Sequence, residues 1–158
     1  TLSTTIAALE GGYRGTSHKN CKGVFKGIAN ACLIENRRRR DPEGQYLLSS
    51  EDLCCVGPVA LLQDLATISC LSVGHSERNG HHYFAGLSMY CKKIQDGVLA
   101  HHGSLYRRGE TGFPTLGIQN GQIDLESVLE APYGYGFDLD IASFTPLDEW
   151  SVDSLEIE

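Results

Sequence analysis

His18-Lys19-Asn20-Cys21-Lys22-Gly23 places a lysine where a short extended run gives way, through glycine, to a helix. Two later stretches resemble it in kind: one carries Ser49, Ser50, Glu51 and Asp52, the other His75, Glu77, Arg78, Asn79, His81 and His82. A lysine amine accepts a proton once burial or a neighbouring cation disfavours its charged form, and a carboxyl keeps its proton when its own charged form is penalised. Such groups suit proton transfer on a small molecule. Plainer readings stand beside this one. Lys19 also reads as a lysine bonded to a strand-end carbonyl or a neighbouring carboxylate, and Glu77 as the ion-pair partner of Arg78 or of another basic group in its loop.

The elements that must hold these residues alternate along the chain. Residues 1–10 read as the end of a helix, closed by Gly11-Gly12, and residues 13–19 fit a short strand. Val24, Phe25, Ile28, Ala29, Cys32 and Leu33 recur at helical spacing and predict a helix over 24–39, ended by Asp41-Pro42-Glu43-Gly44. A second unit follows: strand Tyr46-Leu47-Leu48-Ser49-Ser50, a loop over 51–57, and a helix with Pro58 in its first position and an apolar stripe of Leu61, Leu62, Leu65 and Ile68 or Ala66. A third takes Leu71 and Val73 as a strand over about 70–76 and passes through 77–82 into a helix containing Ile94, Val98 and Leu99. This alternation implies parallel pairing with right-handed crossovers, and such folds keep their active sites at the carboxyl ends of the strands. In the tail, Asn120-Gly121 between residues 114–118 and 122–125 predicts a hairpin. Ala131-Pro132-Tyr133-Gly134-Tyr135-Gly136-Phe137 is expected to pack on another part of the molecule, with the last eight residues frayed.

Composition narrows the classes. A chain of 158 residues that is 41% hydrophobic can bury one domain-sized core. A net charge of −7 argues against a general nucleic-acid partner, since the cluster Lys19, Lys22, Lys26 is outweighed elsewhere. The six cysteines show no C-x-x-C pairing and read as reduced, mostly buried thiols of a cytoplasmic protein. No apolar run reaches about 18 residues and no signal peptide opens the sequence, so no membrane partner is expected. The first residue is Thr and the opening is helix-like, which together suggest the back part of something longer.

Other motifs fall short of their chemistry. His81 and His82 are adjacent and would point to opposite sides of an extended segment, which makes a zinc set with His75 and Glu77 unexpected. Cys54-Cys55 has no histidine beside it, no phosphate-binding G-x-x-x-x-G-K-[ST] is present, and Gly86-Leu87-Ser88-Met89-Tyr90 lacks the second glycine of a nucleophile elbow. The four arginines at 37–40 read as a solvated helix end whose charge suits the negative pole of the dipole.

Gly12 before a short strand, Lys19 with Gly23 four residues on and a helix behind it, a glutamate closing residues 73–77, and Gly134-Tyr135-Gly136-Phe137-Asp138-Leu139-Asp140 occur in this order. Together they resemble the mandelate racemase and muconate-lactonizing enzyme branch of the enolase superfamily. The resemblance implies an α/β fold, the C-terminal half of a (β/α)8 (TIM) barrel, with residues 1–112 as units six to eight and 113–158 as a tail returning to the capping domain. It implies Lys19 as the acid/base and Glu77 as the partner of the substrate carboxylate, with His18, Asn20, Glu51, Asp52, Arg78 and His81 at the rim for substrate hydroxyls. It further implies a small carboxylate substrate, a homo-oligomeric parent enzyme, and Mg2+ held by carboxylates of the third to fifth barrel strands, none of which is in this chain. The family's shared step removes the proton next to a carboxylate while the metal stabilises the enediolate. The seventh-strand histidine of the racemase group is absent, since its position falls in Ser49-Ser50-Glu51-Asp52, so one-base dehydration or isomerisation fits better than two-base racemisation. Readings from other classes are a non-catalytic α/β binding module and an inactive truncated product, the latter with an exposed apolar edge and self-association.

Overall fold

Short strands rich in Ser, Thr and Gly cannot bury themselves, and here they are held by the helices that follow them. The computed structural model describes residues 2–52, 55–78 and 80–155, and the side chains at positions 2, 52, 81, 82, 154 and 155 lie outside that description. Helix α1 (Leu2–Glu10) leads to β1 (Gly15–His18), a 3-10 turn (Asn20–Lys22) and α2 (Val24–Arg40). Then come β2 (Leu47–Asp52), α3 (Val59–Cys70), β3 (Ser76–Arg78), the short α4 (Gly80–Tyr83) and α5 (Lys92–His101). The three strands form one parallel sheet in the order β1-β2-β3, with His18 opposite Ser50, Ser50 opposite Ser76, and Glu51 opposite Glu77. The protein is thus a mixed α/β chain around a small parallel sheet.

Alternation along each strand gives the sheet two unlike faces. One meets the helices: Ile34 of α2 packs with Leu48, Gly27 of α2 lies against His18, and Asp64 of α3 reaches His18 and Arg78. The other face carries Gly15 and Ser17 from the first strand, with Lys19 directly after it, Leu47, Ser49 and Glu51 from the second, and Glu77 from the third. Leu47 is 56% exposed on it. The larger core lies under α3, where Leu61, Leu62, Leu65 and Ile68 pack with Leu87, Val98, Leu105, Leu116 and Val128.

The third strand lies later than its sequence suggests. Leu71 and Val73 are not a strand: α3 runs to Cys70 and closes with Ser72 in the left-handed region (φ 54°), the Ser72 N–H donating to Ser69 O and the Val73 N–H to Ile68 O. This is the two-bond helix ending that a residue of positive φ permits, and Val73 packs back onto the core. Glu77 therefore sits inside β3 and not in the loop after it. Glu51 and Asp52 likewise belong to β2.

The predicted hairpin also has a different partner. Pro114–Leu116 (β5) pairs antiparallel with Tyr106–Arg108 (β4), and Asn120-Gly121, both of positive φ, turn the chain for only a single bridge between Gln119 and Gln122. The connection from β4 to β5 closes through Gly109 and Gly112, with Gly109 N–H bonded to Phe113 O. After α6 (Glu126–Glu130) the glycine-punctuated stretch does pack on its neighbours. Gly134 lies against the Leu62 carbonyl, and Phe137 stacks on His101 with ring centroids 5.6 Å apart. Of the residues expected to fray, Val152–Leu155 form a 3-10 turn and 156–158 lie outside the described residues. The expectation of mostly buried thiols is corrected: Cys21, Cys32, Cys70 and Cys91 are exposed and Cys55 is half-buried, and Cys32 is exposed because α2 buries Gly27, Asn30 and Ile34 and turns the face of Phe25 and Ile28 outward; Cys54 lies outside the described residues.

Candidate functional site

Each strand ends with a residue facing outward next to one facing the helices. On the outward face Lys19 follows β1, Glu51 lies near the end of β2, and Glu77 is in register with Glu51 on β3. Lys19 Nζ and Glu51 Oε1 are 2.5 Å apart, with both side chains 32% exposed. The plainer reading of Lys19, an amine bonded to a neighbouring carboxylate, describes this contact. The contact also puts a proton donor beside a proton acceptor at the carboxyl ends of adjacent parallel strands, where small-molecule chemistry is usually sited in such sheets.

Behind that face lies a second, buried set of charges. Asp64 Oδ2 is 2.6 Å from Arg78 Nη1, and Asp64 Oδ1 is 3.8 Å from His18 Nε2, with all three side chains almost fully buried. Arg78 Nη2 also donates to Ser50 Oγ at 3.4 Å. Burial pushes the His18 imidazole below the ordinary histidine range; Asp64 opposes the shift and Arg78 adds to it. A buried carboxylate between a cation and an imidazole ties β1, β2 and β3 to α3, and does so directly behind Lys19, Glu51 and Glu77.

The structure separates the residues expected at one rim. Lys19, Glu51 and Glu77 share the outward face. His18 and Arg78 instead point to the helices and are buried, so Arg78 pairs with Asp64. Asn20 begins the 3-10 turn after Lys19, and its Oδ1 is buried without a hydrogen-bond partner. Asp52 ends β2 and His81 stands in α4, with side chains outside the described residues. Asp64 was not singled out in the sequence, although a carboxylate inside the apolar stripe Leu61, Leu62, Leu65, Ile68 is a signal for a buried pair.

The loop after β2 is fixed from below. The Tyr90 hydroxyl donates to Gly57 O at 2.7 Å and the Tyr106 hydroxyl to Val56 O at 3.0 Å, and burial raises the pKa of both phenols. Both stay protonated donors at neutral pH. Among the described residues no group of three or more His, Cys, Asp or Glu side chains is placed to hold a metal ion, and no helix is long and apolar enough to cross a membrane. Comparison with protein-family models, with curated proteins and with solved structures finds no match.

Proposed function

We propose that this chain works as part of an enolase-superfamily lyase or isomerase, with its three strand-helix units as units six to eight of a (β/α)8 barrel and Lys19 as the group that moves the proton next to a substrate carboxylate. The observation that supports this reading is the Lys19–Glu51 pair at the carboxyl ends of neighbouring parallel strands, on the face opposite α2 and α3. In a barrel the helices lie outside, that opposite face lines the interior, and the strand ends form the mouth. Sequential strand order with both helices on one face is what three consecutive barrel units require.

On this reading the free amine of Lys19 takes the proton from the carbon next to the carboxylate, and the electron pair moves into the carboxylate as an enediolate. Departure of a hydroxyl from the next carbon, with a proton, completes a dehydration; return of the proton elsewhere completes an isomerisation. Glu51 holds the ammonium at the strand end between turnovers. Glu77, next in register, is the candidate to hydrogen-bond the substrate's carboxylate. The reading assigns magnesium to carboxylates on barrel strands outside this chain, and no step here is routed through it.

The test is solvent deuterium incorporation into a panel of acid sugars by the intact enzyme with magnesium, for the wild type and Lys19→Ala. General-base removal is expected to reduce incorporation by about 10²–10⁴-fold while the circular dichroism spectrum is unchanged. Incorporation retained in the folded variant would remove Lys19 as the base.

A further inference from the structure

Behind β3, on the side of the sheet that meets the helices, lies a cavity of about 920 Å3, within the roughly 300–1,000 Å3 of small-molecule sites. Helix α5, the next long helix after β3, packs on β4 and β5, and the space is bounded by the end of α3 and the turn through 118–125. One wall is apolar. Ile68, Val73, Ile118, Ile123 and Leu125 line it, and all but Ile68 are only partly buried, with one side on the main core. Ser72, Gly74, Gly121 and Gln122 are exposed and form its mouth.

A hydroxyl in need of a partner stands at the sheet side. Ser76 lies opposite Ser50 in the register, so its side chain points to the helices, and there it borders the cavity. Its Oγ is buried and has no hydrogen-bond partner. A buried hydroxyl left unpaired is disfavoured, and it can donate to an oxygen that enters the space. Water would satisfy the hydroxyl but gains nothing from the apolar wall, whereas a molecule with an apolar body covers both. Charge is already matched at this end. The Arg78 guanidinium, which also borders the cavity, is 2.6 Å from the Asp64 carboxylate, and no other Lys, Arg or His among the described residues lines the space. The head group that fits is therefore neutral.

We propose that this cavity binds a neutral small molecule with an apolar body and an oxygen, an alcohol or ketone, whose oxygen accepts from the Ser76 hydroxyl while its carbon skeleton lies against Val73, Ile118, Ile123 and Leu125. The site is across the sheet from Lys19, Glu51 and Glu77. It goes beyond the proton-transfer reading and stands or falls independently of it.

The test titrates the full chain, methyl-labelled at Ile and Leu, with cyclohexanone, and in parallel with cyclohexanecarboxylate as its anionic counterpart. Cyclohexanone should give saturable shifts of the Ile118, Ile123 and Leu125 methyl resonances and intermolecular nuclear Overhauser contacts to them. The carboxylate should bind at least about tenfold more weakly, since its charge has no free cation to meet. Ser76→Ala should raise the cyclohexanone Kd about three- to tenfold, as loss of one hydrogen bond entails, with the methyl contacts retained. Where Ser76→Ala fails to fold, the wild-type Overhauser contacts and the comparison of ketone with carboxylate decide. Absence of saturable shifts, Overhauser contacts confined to other methyls, a carboxylate that binds as tightly as the ketone, or a cyclohexanone Kd unchanged in folded Ser76→Ala would overturn the site and leave the cavity a packing gap behind β3.

Discussion

At Asp64 one buried carboxylate faces a guanidinium from β3 and an imidazole from β1, and its removal strands the Arg78 charge in the interior. Asp64→Ala should therefore lower unfolding stability by about 3–5 kcal/mol, read as a shift of the urea midpoint, whereas replacing Asp64 and Arg78 together with apolar residues of similar volume should cost far less. Equal losses for the single and double variants would contradict the pairing. Histidine chemistry gives a second prediction. His18 and His102 both have pKa values lowered by burial, and His102 accepts the Gly136 N–H on Nε2 while Nδ1 faces Ser127 Oγ. Both are neutral in the folded protein, while the unfolded chain takes up protons near the ordinary histidine pKa of about 6.5. Below that value the unfolded state binds more protons, so stability is full above about pH 6.5 and is lost as pH falls toward the lowered folded values, at up to about 1.4 kcal/mol for each unit of lowering. Urea midpoints should drop between pH 7.5 and 5.5, a window above the titration of ordinary carboxylates. A flat or rising profile would show that neither imidazole is held neutral.

At the scale of elements, the first two strand-helix units were legible in the sequence because their signals are local. Glycine pairs, a proline and helical spacing fix β1, α2, β2 and α3 to within a few residues of where they lie. The third strand was not. Leu71 and Val73 look like strand residues, but they complete the end of α3, and the polar Ser76-Glu77-Arg78 that does pair carries no apolar pattern. Its pairing comes from β2, a partner the local sequence does not display. The same holds for the site: Lys19 and Glu51 were both visible as strand-end groups, whereas their 2.5 Å contact depends on the register of β1 against β2. Helix-to-sheet spacing offers a test of that arrangement. A Cβ added at Gly27 would lie 2.3 Å from His18 Nδ1, so Gly27→Ala should destabilise the protein by about 1–3 kcal/mol in urea unfolding, despite alanine's better helix propensity. A neutral or stabilising result would mean that α2 does not sit against His18. Gly134 is similarly placed, at φ 78° with the Leu62 carbonyl 2.3 Å from any added Cβ, and it anchors the tail on α3.

At the scale of the whole molecule, α2 and α3 both pack on one face of the sheet, while the face carrying Lys19, Glu51 and Glu77 has Leu47 largely exposed and β1 and β3 as unpaired edges. Among the described residues no helix packs on that second face, whereas parallel sheets are ordinarily buried on both faces. The proposed function turns this into a central claim: the outward face is the inner wall of a larger barrel. Sedimentation velocity of this chain across a concentration series, for the wild type and Leu47→Glu, tests it most directly. The account predicts concentration-dependent association of the wild type through that face and a shift toward monomer in Leu47→Glu. A wild type that stays monomeric at every concentration and unfolds in one cooperative urea transition would contradict it, and would mark the chain as an autonomous α/β binding module.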